Sequence, residues 1–108
     1  MNKIAILNDK LRQNIFNSGK DRVILTQGVS NLPFDEQLRI LIKVKLFNNF
    51  NAGNDPYFQH DFGMIEHSEL KYFFKIDYYD TSMEYASENP ADENITTRIL
   101  TIMRADEY

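Results

Sequence analysis

The 108-residue sequence predicts a small α+β domain of order α-β-α-β-β-α, with helices packed on a roughly three-stranded, mostly antiparallel sheet. Three observations carry that prediction. Ile4, Leu7, Leu11 and Ile15 recur at the three-or-four spacing of a helix with one buried stripe. Leu70, Tyr72, Phe74, Ile76 and Tyr78 alternate with Lys71, Phe73, Lys75, Asp77 and Tyr79, the period of a strand with one core face. Hydrophobic residues at 43% and aromatics at 13% supply enough apolar surface for one core. A second core would leave each half near the size at which domains need disulfides, metals or partners to fold, so residues 1–108 are read as a single domain.

The first helix stops at Asn17-Ser18-Gly19. Arg22-Val23-Ile24-Leu25-Thr26, closed by Gly28, is short and β-branched and reads as a strand with at least one well-buried face. Asn31-Leu32-Pro33 followed by Asp35 and Glu36 opens the second helix, because Pro is tolerated in the first turn and acids there complement the dipole. Leu38, Ile40, Leu41, Ile42, Val44 and Phe47 continue a broad apolar surface to about Phe50, which makes this helix central. Asn48, Asn49, Asn51, Gly53, Asn54 and Asp55-Pro56 then mark a loop.

If His67-Ser68-Glu69 is the hairpin turn, Phe62 pairs with Phe74, Asp61 lies opposite Lys75, and Phe62 and Met64 join the core face. A two-residue loop flips that alternation. Asn89-Pro90 opens the last element, where Ile95, Ile99, Ile102 and Met103 suit a helix, the expectation taken here. The β-branched Ile95, Thr96, Thr97, Ile99, Thr101 and Ile102 leave a strand open.

With no Cys, the chain holds no disulfide, thiolate metal site or cysteine nucleophile, which fits a reducing compartment. The N-terminal residues lack a signal-peptide run, and no segment approaches the ~20 apolar residues of a membrane span; a cytoplasmic protein without membrane contact is expected. Charge divides unevenly. Residues 1–49 carry eight Lys/Arg against four acids, and residues 50–108 four against twelve, so the halves are +4 and -8. From Ile76 to Thr97 there is no Lys or Arg, while Asp77, Asp80, Glu84, Glu88, Asp92 and Glu93 recur every few residues. Such an edge repels nucleic acid and attracts basic surfaces, although charge runs are also commonly just solvated.

The chemistry-bearing residues gather in Asn54-Asp55-Pro56-Tyr57-Phe58-Gln59-His60-Asp61-Phe62-Gly63 and in Lys75-Ile76-Asp77-Tyr78-Tyr79-Asp80. Asp61-Phe62-Gly63 copies the kinase magnesium loop by accident, since no Gly-rich loop or HRD block precedes it. No P-loop, dinucleotide fingerprint, HExxH or GxSxG is present. His60 and His67 with Asp61, Glu66, Asp77 and Asp80 have the donor types of a metal site, but at most two ligands align from one strand, so no metal and no cofactor are expected. His60, Asp61, Lys75 and Asp77 are the candidate catalytic residues, with a Lys75–Asp77 ion pair as the ordinary reading. Tyr57, Phe58, Tyr78, Tyr79 and Tyr85 set aromatics beside acids, as interface cores do.

These same blocks resemble an uncharacterised family of short bacterial proteins, the domain of unknown function family 3768, met on plasmids, in phages and in proteobacterial genomes. The resemblance runs nearly end to end: Ile6-Leu7-Asn8-Asp9-Lys10-Leu11-Arg12, Val23-Ile24-Leu25-Thr26-Gln27-Gly28-Val29, Asn54-Asp55-Pro56, His60-Asp61-Phe62-Gly63, Lys75-Ile76-Asp77-Tyr78-Tyr79-Asp80, Asn89-Pro90-Ala91-Asp92 and Arg98-Ile99-Leu100-Thr101-Ile102-Met103. The chain departs from it in the short Glu66 to Leu70 turn and a Lys/Asn-rich composition. The family brings no catalytic residues. It implies a setting, mobile elements, in which many small acidic proteins block host defences.

Two functions follow as expectations. One is a non-catalytic inhibitor of anti-CRISPR or anti-restriction type, with Asp77, Tyr78, Tyr79, Asp80, Glu84, Tyr85 and Glu88 meeting a protein partner whose surface is basic and itself nucleic-acid-binding; direct nucleic-acid binding is not expected. The alternative is a small metal- or nucleotide-dependent hydrolase centred on His60, Asp61, Lys75, Asp77 and Asp80. A homodimer joined by the aromatic hairpin is also open.

Overall fold

The computed structural model describes residues 2–108. Its elements are α1 (Lys3–Gln13), β1 (Arg22–Leu25), α2 (Gln27–Ser30), α3 (Phe34–Leu46), β2 (Phe62–His67), β3 (Leu70–Tyr79) and β4 (Thr97–Arg104), closed by a 3₁₀ turn at Ala105–Glu107. The α+β class is as predicted, but the sheet has four strands, in the order β1-β4-β3-β2. β3 pairs antiparallel with β2 and β4, and β1 runs parallel to β4. No helix among the described residues is long and apolar enough to cross a membrane.

The amide of Ala5 donates to the side-chain oxygen of Asn2 at 2.7 Å, which satisfies one orphan donor and starts α1. Lys10 and Arg12 in its last turn complement the helix dipole. Asp35 and Glu36 open α3, and Lys43 and Lys45 close it, by the same rule. One apolar layer joins Leu11, Ile15, Val29, Ile40 and Val44 of the helical side to Ile65, Tyr72, Phe74, Ile76, Leu100 and Ile102 of the sheet.

Two expectations are corrected. The last element is not a helix but β4, hydrogen-bonded between β1 and β3 with Leu100 and Ile102 fully buried. Its β-branched run supplies the stiff side chains a central strand packs well, and pairing on both edges overrides a helix-compatible spacing. The hairpin turn is the two-residue Ser68-Glu69, both residues at positive φ (50° and 67°), as a type I′ connection requires. The register becomes Phe62↔Lys75, Gly63↔Phe74, Met64↔Phe73 and Ile65↔Tyr72. The alternation therefore flips. Gly63, Ile65 and His67 face the core, and His67 ends β2 instead of sitting in the turn, while Phe62 lies on the opposite face, 5.2 Å from the Phe73 ring and 5.9 Å from the Tyr108 ring. Asp61 aligns with Ile76, whose amide donates to its carbonyl at 2.9 Å, and not with Lys75. Only glycine fits at position 63: an added Cβ would stand 2.3 Å from the Phe74 ring and 2.8 Å from that of Phe47.

Candidate functional site

Since β3 is antiparallel to both neighbours, the start of β2, the end of β3 and the start of β4 lie at one end of the sheet. Residues 47–61 and 80–96 are the connections there, and both are irregular loops. Side chains of α1 and β4 tie them together. Asn8, fully buried, donates from Nδ2 to the Gln59 carbonyl (2.9 Å) and to the Tyr78 hydroxyl (2.8 Å), and its Oδ1 accepts from Arg98 Nε (2.8 Å). Arg98 reaches on to the carbonyl of Pro90 and lies over the Tyr78 ring, 5.2 Å from its centroid. The Tyr78 hydroxyl donates in turn to Asp61 Oδ2 at 3.0 Å. Burial raises the pKa of the Asp61 carboxyl, with the Tyr78 hydrogen bond opposing, and burial likewise raises that of Tyr78. Burial lowers that of Arg98, against the nearby charges of Asp21 and Glu93.

A second cluster adjoins it. His60 stacks on Phe50 with ring centroids 4.0 Å apart and planes 3° from parallel. Its Nδ1 lies 2.9 Å from Asp9 Oδ1, and its Nε2 3.6 Å from the buried Asp55 carboxylate. Asp9 also pairs with Arg12, whose guanidinium donates to the carbonyls of Phe47 (2.7 Å) and Val44 (3.3 Å) and lies over the rings of Phe50 and Phe74. Arg12 Nε is buried without a partner. A cleft of about 390 Å³ opens here, lined by Asp9, Arg12, Lys45, Phe47, Phe50 and His60 among others. Because both ring nitrogens of His60 face carboxylates, the imidazole braces the loop, and proton transfer to a bound molecule would first require displacing one of them.

The two loops present different groups. Residues 54–60 are fixed both from outside and by their own turn: Asn2 donates to the Phe58 carbonyl at 2.8 Å, and Asp55 Oδ1 accepts from the amides of Gln59 and His60 at 2.9 and 3.1 Å. Phe58 and His60 are held at φ 57° and 58°. At the tip, Tyr57 is 76% and Phe58 64% exposed. Residues 80–96 are fixed mainly by their own turns. Asp80 Oδ1 accepts from Ser82 Oγ (2.7 Å) and from the Glu84 amide (3.2 Å), which holds that carboxyl below its usual range. Tyr79 bridges to Ala86, and the Ser87 and Thr96 hydroxyls meet at 2.6 Å. This loop exposes Glu84, Glu88 and Tyr85, the last at 71%.

The structure sorts the sequence-derived residues accordingly. His60 and Asp61 stand at the polar end of the sheet, and Asp77 lies near enough to Asp61 to add to its raised pKa; Lys75 and Asp77 form a 3.2 Å pair on the face opposite the helical layer, and Asp80 caps its own turn. Of the partner-binding set, Glu84, Tyr85 and Glu88 are presented to solvent, Asp80 and Tyr79 are half-buried, Asp77 is on the open face, and the Tyr78 hydroxyl is engaged in the Asn8 network. His67 is remote from His60, between Glu36 and Lys43. Among the described residues, no group of three or more His, Asp or Glu is placed to hold a metal.

Asn8, Asp9, Arg12, Asp55 and Arg98 are not among the candidate site residues read from the sequence, although Asp55 lies in a chemistry-bearing block and all five lie in the family-like segments. A further signal existed for two of them: Asn8 and Arg12 share the buried stripe of α1 with Ala5, Leu7 and Leu11, where a polar residue needs a partner.

The profile of a family described as "Protein of unknown function (DUF3768)" matches residues 25–107, from the end of β1 through the 3₁₀ turn. The chain belongs to this family. The matched span includes both loops, Asp61, Tyr78 and Arg98, whereas Asn8, Asp9 and Arg12 precede it. No curated protein and no solved structure matches the chain.

Proposed function

We propose that this protein is a non-catalytic binding module that docks through loop 80–96 on a basic, nucleic-acid-binding surface of a host defence complex or nuclease and blocks it. One observation carries the reading. Loop 80–96 holds five acids and no Lys or Arg, is cross-braced by its own hydrogen bonds, and sets Tyr85 out into solvent between Glu84 and Glu88. A pre-ordered acidic surface with an exposed aromatic loses little entropy on docking, and its field speeds encounter with a positive partner. The mobile-element setting and cytoplasmic site of action follow the resemblance and composition read from the sequence.

The test uses the tagged chain as bait in a lysate of bacteria carrying restriction and CRISPR systems, beside the Glu84→Lys/Glu88→Lys form. Asp80 is left alone because it caps the turn. A nucleic-acid-binding complex captured by the native form alone, and released at raised salt, is the expected result. Equal capture by the reversed form at ordinary salt, or capture of nothing, overturns the proposal.

A further inference from the structure

Loop 54–60 is the feature the acidic surface does not explain. Tyr57 and Phe58 are adjacent aromatics, about three-quarters and two-thirds exposed, on an irregular loop whose backbone is nonetheless hydrogen-bonded at Phe58, Gln59 and His60. A loop that merely connected α3 to β2 would not need that. Phe58 has a left-handed backbone at φ 57°, which for a bulky side chain is a steric outlier. Such a conformation persists only where surrounding contacts impose it, here Asn2 on its carbonyl and Asp55 on the two amides that follow. The chain thus keeps a strained backbone while withholding two large apolar rings from any core. Exposed, pre-ordered aromatics are what interface hot spots are made of.

We infer that Tyr57 and Phe58 are a second, apolar element of the binding surface and insert into a hydrophobic pocket that lies beside the basic patch of a protein partner. The inference rests on the acidic-loop reading for the partner's charge. It is tied to that loop by structure: Gln59 of the aromatic loop and Pro90 of the acidic one are joined through only two side chains, Asn8 and Arg98. The partner's recognition element therefore combines Lys or Arg with an aromatic or large aliphatic side chain. Cation-only surfaces would use loop 80–96 and leave the rings idle.

Random peptides displayed on phage and panned against the immobilised full chain supply the test without a known partner. Enriched peptides carrying both basic and large apolar residues are expected. Made synthetically, they should bind Tyr57→Ala/Phe58→Ala about tenfold more weakly or worse, and Glu84→Lys/Glu88→Lys more weakly with a flattened salt dependence. Basic peptides that bind the aromatic variant as tightly as wild type overturn this inference and leave the acidic-loop reading standing. No enrichment, or peptides without basic residues, overturns both. Phe58→Gly guards against a purely structural role: glycine accepts the left-handed backbone, so its Tm should equal or exceed that of wild type while peptide binding is still lost. A fall in Tm together with binding overturns the inference. So does a solution mass of two chains that reverts to one on Phe58→Gly, because the rings would then be covered by a second copy.

Discussion

Loops 47–61 and 80–96 emerge from the same end of one sheet, yet they differ in how much of their fixing comes from outside. The first, beyond its own Asn51, Asn54 and Asp55 turns, is held from a distance: Asn2 and Asn8 grip its carbonyls, and Asp9 holds His60, all three from the N-terminal segment. The second folds mostly on itself, through the Asp80 turn, the Tyr79–Ala86 bridge and the Ser87–Thr96 hydroxyl pair, with Arg98 and Lys20 touching only its far side. Long-range fastening concentrates a loop's stability in a few side chains elsewhere in the chain, whereas local turns spread it over many small terms. The aromatic loop should therefore be fragile to changes in α1, and the acidic loop should not.

Asn8→Ala is the most damaging way to break that contrast, because Asn8 serves the Gln59 carbonyl, the Tyr78 hydroxyl and Arg98 Nε together. Leaving buried polar groups without partners costs about 1–3 kcal/mol each, partly recovered by relaxation, so a loss of about 3 kcal/mol is expected in urea unfolding. Hydrogen exchange should accelerate at residues 57–61 before it does at 80–88; uniform acceleration would mean that the two loops are one unit. His60→Ala removes the stack on Phe50 and the Asp9 contact but touches nothing of loop 80–96. A loss of about 1–2 kcal/mol is expected, with exchange increased only between residues 50 and 61. Equal loosening of residues 80–96 would disprove the independence of the second loop.

The same division explains what could be read in the sequence. Local rules found α1, α3 and β3, because period 3.6 and period 2 are properties of contiguous residues. The hairpin register depended on whether His67 belonged to turn or strand, a one-residue difference that moves every side chain to the other face. β4 was misread because Ile95, Ile99 and Ile102 satisfy helical spacing, and the pairing with β1 and β3 that overrules it is non-local. Acidic loop 80–96 was legible in outline since its charge is written consecutively. The brace was not: Asn8 and Asp9 lie far along the chain from Arg98 and His60, and only the closed sheet brings them together.

Asp61 sharpens the comparison by a smaller effect, since it belongs to the aromatic loop yet bonds to Tyr78 at the root of the acidic one. Burial raises its pKa in the folded chain above the ordinary carboxylate value, with the nearby negative charges of Asp55 and Asp77 adding to the shift. A raised folded-state pKa means that the native state binds the proton more tightly than the unfolded chain does. The associated stabilisation is fully present below the unfolded pKa and is lost as pH rises through the folded one. Asp61→Asn keeps an oxygen to accept from Tyr78 but carries no charge to bury. It should leave stability nearly unchanged at low pH and raise it near neutrality, with a flatter pH profile between, measured by Tm at closely spaced pH values. If the Asp61→Asn form reproduces the wild-type profile unaltered through the acidic range, the proton is held elsewhere, and the Tyr78–Asp61 contact is an ordinary hydrogen bond between the loops instead of a charge held at their junction.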